Sequence, residues 1–538
     1  MARKKRAAPT QPAPSPAAPA KPRIFVNIAS YRDPEWQWTV KDLFEKATDP
    51  DRIFVGTCWQ FIADEDADCF TRSTRPEQCR SIDVDARESK GACWARHQVQ
   101  KLWRGEEYSL QIDSHMRFVP GWDERMIAML ARCPSAKPVL STYPPPYEPP
   151  DHFPADIVPT QYASGFSKEG ILGLRSRGVS PKDAPAEPQP SAFCAAGFLF
   201  AEGGVIEEIP YDPYLYFQGE EITLAARLYT HGWDVFTPNE VLIYHDYTKR
   251  TNRPRHWEDH RQWNRLNALA FARIRHLLGV ETAADPEALN ELERYGLGLK
   301  RSFEDYQAFS GIDFRRRLIN GKTTEEIEME AKPDEWRRRN RDIFDNIIKT
   351  GLWAAAGTRC GNGSTLAATE KIRAALPPLF DFLRIESLTD CGCGDVHWMR
   401  EISGGLKLYF GLEIVPDLMQ QAVEQLGRRR GHFFANLDIT LDDLPASDAI
   451  LCRDLLTHYP HAMVKVALRR LKASGSRHLI ATTHPNGENV PIEAGAWQPI
   501  NLCAAPFLLP PPRHLIEEGV ANSTKSLGVW LVQDIPDF

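Results

Sequence analysis

The sequence predicts two α/β domains joined in one chain. At 538 residues, the chain is longer than the roughly 250–300 residues that one hydrophobic core usually serves. Short apolar strands alternate with helical segments in the first half, and the same alternation begins again in the second half. Alternation of this kind is typical of sheets flanked by helices. The predicted strands lie at 23–29, 52–57, 108–112, 385–390, 406–412, 449–452 and 478–482.

The remaining segments complete the predicted order. Residues 1–22 are basic, then rich in Pro and Ala without an apolar run, which predicts a disordered tail and not a signal peptide. Residues 141–190 are dense in Pro, Gly and Ser, and we expect a long loop region over a cleft. Helical stretches are predicted near 257–278 and 323–341. The predicted parts are a first domain at 23–315, a helical linker at 316–340 and a second domain at 341–538.

Composition narrows the class of protein. A formal net charge of -7 gives no electrostatic reason to expect a nucleic-acid partner. No segment approaches the roughly 20 apolar residues of a membrane-spanning helix. The 11 cysteines lack paired metal-ligand spacing, so we expect reduced thiols and a cytoplasmic enzyme. The sequence leaves the oligomeric state open.

A possible metal motif, Asp113-Ser114-His115, follows the strand at 108–112. An Asp and a His two residues apart at a strand end can turn toward one cation. A sugar diphosphate leaves with developing negative charge, which a divalent cation stabilises. The alternative is an ordinary strand-end Asp with a surface His nearby.

Blocks spread over the first half carry a family resemblance, and they begin at the first predicted strand. They resemble the N-acetylglucosaminyltransferases that modify cytosolic polypeptides, over about residues 23–315. The resemblance implies a GT-A fold, UDP-N-acetylglucosamine as donor, a Mn²⁺ or Mg²⁺ ion, and retention of anomeric configuration. The matching blocks are 25–35, 91–96, 111–118, 121–123, 217–222 and 295–298 with 306–314.

The resemblance also implies roles for single residues. Asp113 and His115 become metal ligands, and His245 becomes the third, although a lone histidine is more often structural. Ser30 and Arg32 lie where this fold receives the nucleotide. Gly91 and Arg96 match the segment that lines the uridine and the diphosphate; for Arg32 and Arg96 the alternative is a solvated or salt-bridged arginine. The roles are therefore three metal ligands and four nucleotide contacts.

Two carboxylates, Glu220 and Glu221, begin a predicted helix at 222–228. They can face the acceptor hydroxyl, or they can stabilise the helix dipole. We assign both as catalytic candidates that position the acceptor or the donor, and leave the general base open.

The second half contains a glycine turn, Asp390-Cys391-Gly392-Cys393-Gly394, directly after a strand. Glycines there allow the backbone to approach a ligand closely. Glu413 ends the next strand, where a carboxylate can accept hydrogen bonds from ribose hydroxyls. No third glycine follows, so a nicotinamide dinucleotide is not expected. The order of these segments is Rossmann-like.

These segments resemble the class I S-adenosylmethionine-dependent methyltransferases, over about residues 340–538. The resemblance implies that Asp390, Gly392 and Gly394 contact the methionine part and that Glu413 contacts the ribose. It also implies that Asp438 lies at the adenine edge, with Arg453 and Asp454 near the sulfonium or the acceptor. The alternative is a degenerate domain that binds nothing. Further polar residues that can surround an acceptor, or be structural, are His458, His484, Asn486 and Asn501.

Together these patterns predict a bifunctional enzyme. A GT-A glycosyltransferase domain precedes a Rossmann-like methyltransferase domain, and both can act on one glycan because covalent linkage raises the effective concentration of one site near the product of the other. The acceptor is a glycan or a polypeptide hydroxyl. The alternative is a protein-hydroxyl glycosyltransferase whose second domain is a non-catalytic binding module.

Overall fold

The structure is a computed structural model that describes residues 21–70, 75–248, 254–519 and 524–538. The predicted tail at 1–22 lies outside the described residues, apart from its last two. The chain divides into two compact units, the first ending at Gly321 and the second running from Lys322 to Phe538.

The first unit alternates strands and helices as the sequence predicts. Its described strands are β1 (Ile24–Tyr31), β2 (Ile53–Phe61), β3 (Cys79–Asp85), β4 (Tyr108–Asp113), β5 (Met116–Phe118), β6 (Pro138–Ser141), β7 (Val158–Phe166), β8 (Leu172–Val179), β9 (Gln189–Ser191), β10 (Phe198–Glu202), β11 (Asp234–Thr237), β12 (Ile243–His245), β13 (Ile312–Asp313) and β14 (Leu318–Ile319). Its described helices are α1 (Trp36–Lys46), α2 (Ala92–Gln100), α3 (Trp122–Arg132), α4 (Val205–Glu208), α5 (Glu220–Thr230), α6 (His256–Asp259), α7 (Trp263–Leu277), α8 (Leu292–Tyr295) and α9 (Phe303–Ser310).

An eight-stranded sheet in the order β3-β2-β1-β4-β10-β6-β11-β9 forms the centre of this unit. Strands β1 to β4 are parallel, and β10 is antiparallel to both of its neighbours. The order reverses between β1 and β4, which is where open α/β sheets bind their ligands. Ala29 lies opposite Asp113 in the register, so the segments after β1 and β4 meet at this point.

Two segments of the first unit differ from the sequence-based expectation. Residues 141–190 are not loop throughout, because β7 and β8 pair as an antiparallel hairpin. Its buried and exposed side chains alternate along part of β7, but the many prolines and glycines nearby mask that period in the sequence. The helix expected at 257–278 is interrupted between α6 and α7.

The second unit is built on a seven-stranded sheet in the order β17-β16-β15-β18-β19-β21-β20. Strands β15 to β19 are parallel, and β21 is antiparallel to both of its neighbours. This is a Rossmann-like, doubly wound arrangement, with the order reversing between β15 and β18. Its described elements are α10 (Thr324–Ala331), α11 (Pro333–Lys349), α12 (Glu370–Leu383), β15 (Ser387–Cys391), β16 (Leu408–Glu413), α13 (Pro416–Leu426), β17 (His432–Asn436), β18 (Ala449–Cys452), α14 (His461–Ala473), β19 (His478–Thr483), β20 (His514–Glu517) and β21 (Ser526–Leu531).

The helices expected as a linker at 316–340 belong to the second unit. Thr323 caps α10 by accepting a hydrogen bond from the Glu326 amide, and the Glu326 carboxylate accepts one from the Thr323 amide. Helix α11 buries Phe344, Ile347 and Ile348 in the core of the second unit. The apolar stripe of α11 therefore packs on the second sheet instead of bridging two domains.

The cysteines and the absence of a membrane-spanning helix among the described residues relate to the composition. All 11 cysteines are free thiols and eight of them are buried, so they pack as small apolar side chains. Among the described residues, no helix combines the length and apolar character needed to cross a bilayer.

Candidate functional site

Three predicted metal ligands come together beside the sheet of the first unit. Asp113 is the last residue of β4, and His115 follows two residues later. His245 ends β12, which pairs with β5 so that His245 lies opposite Met116. One ligand atom from each of Asp113, His115 and His245 lies within 4.8 Å of the others. The pairing of β12 with β5 thus carries a distant histidine to the motif.

The Asp113 carboxylate is held in its charged form. Loss of hydration opposes ionisation, but a hydrogen bond with His245 and the positive charge of Arg96 outweigh it and hold the pKa of Asp113 well below its ordinary value. The His245 Nε2 atom lies 3.1 Å from Asp113 Oδ2, and the Arg96 guanidinium donates to Asp113 Oδ1 at 2.7 Å. Asp113 can therefore ligate a cation at neutral pH without first losing a proton.

One carboxylate and two imidazoles form a mixed oxygen and nitrogen donor set. Mg²⁺ takes oxygen ligands and keeps several waters, so this set suits Mn²⁺ or another cation that accepts imidazole better than it suits Mg²⁺. Gly197 supplies the space, because a Cβ atom there would come within 2.6 Å of Asp113 Oδ2. The residues present fit a divalent cation.

Glu220 binds Arg96 and does not face open space. Both Glu220 oxygens lie 2.8 Å from Arg96 Nη1, and the Tyr211 hydroxyl and the Cys93 thiol donate to the same carboxylate at 3.0 and 2.7 Å. All four side chains are buried. Arg96 is thus salt-bridged, as the alternative interpretation held, yet its guanidinium still touches Asp113. Glu220 fixes the orientation of Arg96.

Glu221 has a different environment from its neighbour. Its carboxylate accepts hydrogen bonds from the Ala196 amide at 2.9 Å and from the Tyr143 hydroxyl. Burial raises the pKa of Glu221 to about 7. Ala196 directly precedes Gly197, so Glu221 is tied to the segment that faces Asp113. A carboxylate that titrates near neutrality can exchange a proton with a substrate hydroxyl.

The end of β1 places Ser30 and Arg32 in contrasting settings. Ser30 is fully buried, and its Oγ atom has no hydrogen-bond partner among the described residues. A buried hydroxyl in that state is costly unless a ligand pairs with it. Arg32 instead forms ion pairs with Glu65, Asp66 and Asp259 at 2.6, 2.9 and 3.0 Å. Ser30 thus lies at the predicted position but is closed to solvent, whereas Arg32 is salt-bridged, as the alternative interpretation held.

Gly91 directly precedes α2 with φ of +105°. A Cβ atom there would come within 2.9 Å of the Tyr216 ring, so both the conformation and the space require glycine. The amides that begin α2 have no partners within the helix, and such amides bind anions well. Arg96 lies one turn further along the same helix.

Sequence reasoning missed several residues of this region. Tyr143 and Tyr211 bind the two catalytic candidates, and the Tyr247 ring lies 4.1 Å from that of His245. Asp33 contacts His115 at 2.8 Å. The block 25–35 offered a signal for Asp33, because it places a carboxylate just after β1. No pattern in the sequence pointed to the tyrosines.

In the second unit, the glycine turn after β15 has the predicted tight geometry. Gly392 and Gly394 have φ of +73° and +58°. Cβ atoms there would come within 3.2 Å of Leu455 and 2.5 Å of the Cys360 sulfur. Asp390 accepts a hydrogen bond from the Tyr409 hydroxyl at 2.7 Å, and burial raises the pKa of Asp390 to about 7.

The other two acidic residues predicted to contact the methyl donor, Glu413 and Asp438, accept hydrogen bonds from groups of the protein. Glu413 accepts hydrogen bonds from the Gly394 and Val415 amides at 3.0 and 2.9 Å, which places it against the glycine turn. Burial raises the pKa of Glu413. Asp438 accepts from the Asn340 side chain at 3.0 Å and from Thr440. Only Glu413 is joined directly to the turn.

Arg453 and Asp454 belong to a buried ion-pair cluster. Arg453 Nη2 lies 2.6 Å from Glu518, and Lys525 lies 3.2 Å from the same carboxylate and also pairs with Asp454. The charges in the cluster satisfy one another. Neither predicted residue has a charge without a counterion.

A segment at 357–364 lies against the glycine turn. The Thr358 hydroxyl and the Arg359 amide donate to Asp395 at 2.8 and 2.9 Å, and the Asp395 amide lies 3.4 Å from the Cys360 sulfur. Arg453 donates to the Gly363 carbonyl at 2.8 Å. The segment therefore bridges both loops that were predicted to contact the methyl donor.

Of the polar residues that could surround an acceptor, three hold the chain between residues 484 and 501. The His458 ring contacts the Ala496 carbonyl at 2.8 Å, and the His484 ring contacts the Ile500 carbonyl at 3.4 Å. The Asn501 amide donates to the Pro485 carbonyl at 2.9 Å. Asn486 is exposed. Burial lowers the pKa of both His458 and His484, so both rings are neutral near pH 7.

Comparison with known proteins gave one family match. The family described as Glycosyltransferase (GlcNAc) matches residues 23–82 and 70–316, together more than half of the chain. A search of the curated proteins found no match.

Solved structures similar to the chain include several methyltransferases. The methyltransferase domain of bacterial CtHen1 has 11% identity and a TM-score of 0.21, over 22% of this chain and 66% of that one. Magnesium protoporphyrin IX methyltransferase from Synechocystis PCC 6803 has 16% identity and a TM-score of 0.27, over 36% and 96%. The N-methyltransferase NodS from Bradyrhizobium japonicum WM9 has 14% identity and a TM-score of 0.20, over 22% and 68%. Likenesses this distant say nothing of substrate.

Proposed function

Because the chain belongs to the glycosyltransferase (GlcNAc) family, we propose that its first unit transfers N-acetylglucosamine from UDP-N-acetylglucosamine to a hydroxyl of a glycan or polypeptide. The transfer retains the anomeric configuration and uses a divalent cation, Mn²⁺ in preference to Mg²⁺. The observation that carries the proposal is the convergence of Asp113, His115 and His245 within 4.8 Å.

The chemistry that this proposal requires is charge stabilisation at the leaving diphosphate. A cation held by Asp113, His115 and His245 supplies positive charge where negative charge develops. Arg96 adds a fixed positive group beside Asp113, and Glu220 keeps it there. The amides that begin α2 add donors for the nucleotide.

Glu221 is the better of the two carboxylates for contact with the acceptor. Its carboxylate is bound by a hydroxyl and an amide, not by an arginine, and its pKa is raised to about 7. We assign Glu221 to hydrogen bonding with the acceptor hydroxyl, and Glu220 to positioning Arg96. Exchange of Glu221 for Gln is then expected to lower transfer to an acceptor more than hydrolysis of the donor.

The experiment that tests the first activity is a donor screen. Release of UDP is measured for several UDP-sugars, with and without Mn²⁺, using the full chain. The proposal expects release from UDP-N-acetylglucosamine above the other sugars, and loss of that release with a chelator. Equal release without metal would contradict it.

For the second unit, we propose methylation that depends on S-adenosylmethionine. The support is the strand order, together with a turn in which Gly392 and Gly394 leave no room for side chains. Asp390 and Glu413 flank that turn, so Asp390 would hold the methionine part and Glu413 the ribose. Bound there, the cofactor supplies the methyl group. Calorimetric titration with S-adenosylhomocysteine tests this, and absence of heat would count against it.

A second candidate function, a binding module without methyl transfer, also has an observation in its favour. The segment at 357–364 lies on the glycine turn, and Cys360 fills the space beside Gly394. If S-adenosylhomocysteine neither binds nor stabilises the second unit, the binding module becomes the better description.

We also propose that both activities act on one glycan in the cytoplasm. Covalent linkage raises the concentration of one active site near the product of the other, and free thiols are typical of a reducing compartment. Mass analysis of products made with both donors tests this. A methyl group that never appears on the transferred sugar or its acceptor would contradict it.

A further inference from the structure

The segment after β1 brings a buried carboxylate to His115. Asp33 Oδ2 lies 2.8 Å from His115 Nδ1, and the Ser114 hydroxyl donates to the same oxygen at 2.5 Å. The other oxygen, Oδ1, accepts the Glu35 amide at 3.0 Å. Asp33 is 1% exposed, so its carboxylate is surrounded by these groups of the protein and not by bulk water.

The turn that presents Asp33 is strained and strongly held. Arg32 has φ of +48°, a conformation that costs a residue with a side chain about 1 kcal/mol or more. Its guanidinium forms ion pairs with Glu65, Asp66 and Asp259. The ion pairs of Arg32 therefore hold the backbone in the shape that directs the next residue, Asp33, toward Ser114 and His115.

The contact between Asp33 and His115 determines which nitrogen of the ring can bind a metal. A carboxylate 2.8 Å from Nδ1 accepts the proton of that nitrogen, so the lone pair of a neutral ring lies on Nε2. Carboxylates that accept from the second nitrogen of a ligating histidine fix its tautomer and orientation and make it a stronger ligand.

We propose that Asp33 is a positioning residue of the metal centre, acting through His115. This inference rests on the proposed function of the first unit, because it needs a cation at Asp113, His115 and His245. It assigns to the turn after β1 a role in metal binding in addition to any contact with the nucleotide.

The test is Mn²⁺ binding by the full chain without donor or acceptor. Binding is measured from the decrease in the electron paramagnetic resonance signal of free Mn²⁺. Asp33→Asn keeps the size of the side chain but removes its charge, and it is expected to weaken Mn²⁺ binding by about 10–100-fold. The matched control is Glu35→Gln, an acid on the same turn that binds Arg117 and Tyr147 instead. The control is expected to bind Mn²⁺ within about threefold of the wild type.

A second readout separates positioning from general damage. In the UDP-release assay, Asp33→Asn is expected to need about 10–100 times more Mn²⁺ while approaching the wild-type rate at saturating Mn²⁺. Damage to the fold would lower the rate at every Mn²⁺ concentration and would overturn the inference. Should Asp33→Asn fail to fold, Asp33→Glu takes its place, since it keeps the charge but moves the carboxylate.

The outcomes distinguish this inference from the proposed function. If His115→Ala loses Mn²⁺ binding while Asp33→Asn, or Asp33→Glu in its place, binds like the wild type, the role of Asp33 is wrong and the metal centre stands. If His115→Ala also binds like the wild type, both are wrong.

Discussion

The two candidate sites occupy the same kind of position but are built differently. Each lies where the strand order of its sheet reverses, the place at which open α/β sheets bind ligands. In the first unit, three ligand atoms converge within 4.8 Å. In the second unit, Arg453 and Asp454 are paired with Glu518 and Lys525, and residues 357–364 lie on the glycine turn. A cation needs a few convergent atoms, whereas an extended cofactor needs a groove that loops must leave open.

The largest expected effect comes from removing Asp113, the carboxylate ligand of the first site. Asp113→Ala removes the ligand carboxylate and the partner of Arg96, so Mn²⁺-dependent UDP release is expected to fall by roughly 1,000-fold, or about 4 kcal/mol. Binding of S-adenosylhomocysteine by the second unit, measured on the same protein, is the internal control. A parallel loss of UDP release and of S-adenosylhomocysteine binding would show that the two sites are not independent.

The next effect concerns the buried pair that supports the first site. Arg96→Met leaves Glu220 buried without its cation, which is expected to destabilise the first unit by about 3–5 kcal/mol. The matched control is Arg23→Met, because the Arg23 and Glu107 side chains are 41% and 48% exposed, and exposed pairs contribute about 0–1 kcal/mol. Denaturant unfolding measures both. Similar losses for the two variants would contradict the role of the buried network.

The second site is expected to show a pH dependence through Asp390. Burial raises its pKa from 3.8 to about 7, so the folded state binds this proton more tightly than the unfolded chain does. The associated stability is present below about pH 4 and is lost as pH rises toward 7. Asp390→Asn lacks this loss, so its stability relative to wild type should rise over that window by up to a few kcal/mol. Unfolding curves between pH 4 and 8 measure the difference, and a constant difference would refute it.

The smallest expected effect tests the glycine turn. Gly394→Ala places a Cβ atom within 2.5 Å of the Cys360 sulfur at φ of +58°, so we expect destabilisation of about 1–3 kcal/mol. Gly405→Ala is the control, since a Cβ atom there meets nothing within 4 Å. Equal stability of the two variants would show that the turn is not tightly packed.

The comparison also shows what the sequence can predict. Strands that end in polar residues predicted both sheets, and Asp113 with His115 was visible because the two residues lie two positions apart at one strand end. His245 was assigned only by family resemblance, since the pairing of β12 with β5 that carries it to the site has no local signature. Position along the chain predicted Glu413 at the end of the next strand, and only the structure shows that its carboxylate lies 3.0 Å from the Gly394 amide.

Side-chain partners were beyond the reach of the sequence. The sequence does not distinguish Arg32, just after a strand, from Arg96, within a helix, yet Arg32 binds three carboxylates and Arg96 reaches Asp113. The partners Asp259 and Glu220 come from distant segments, so only the folded chain separates the two cases. The placement of residues 357–364 on the glycine turn is a tertiary contact of the same kind.

The most direct test of the account is the number of Mn²⁺ ions bound per chain, by wild type and by His245→Ala. His245 is the ligand that only the fold brings to the motif. The account predicts one Mn²⁺ per wild-type chain and loss of that ion, together with loss of UDP release, in His245→Ala. An unchanged Mn²⁺ stoichiometry and affinity in the variant would contradict the proposed metal centre.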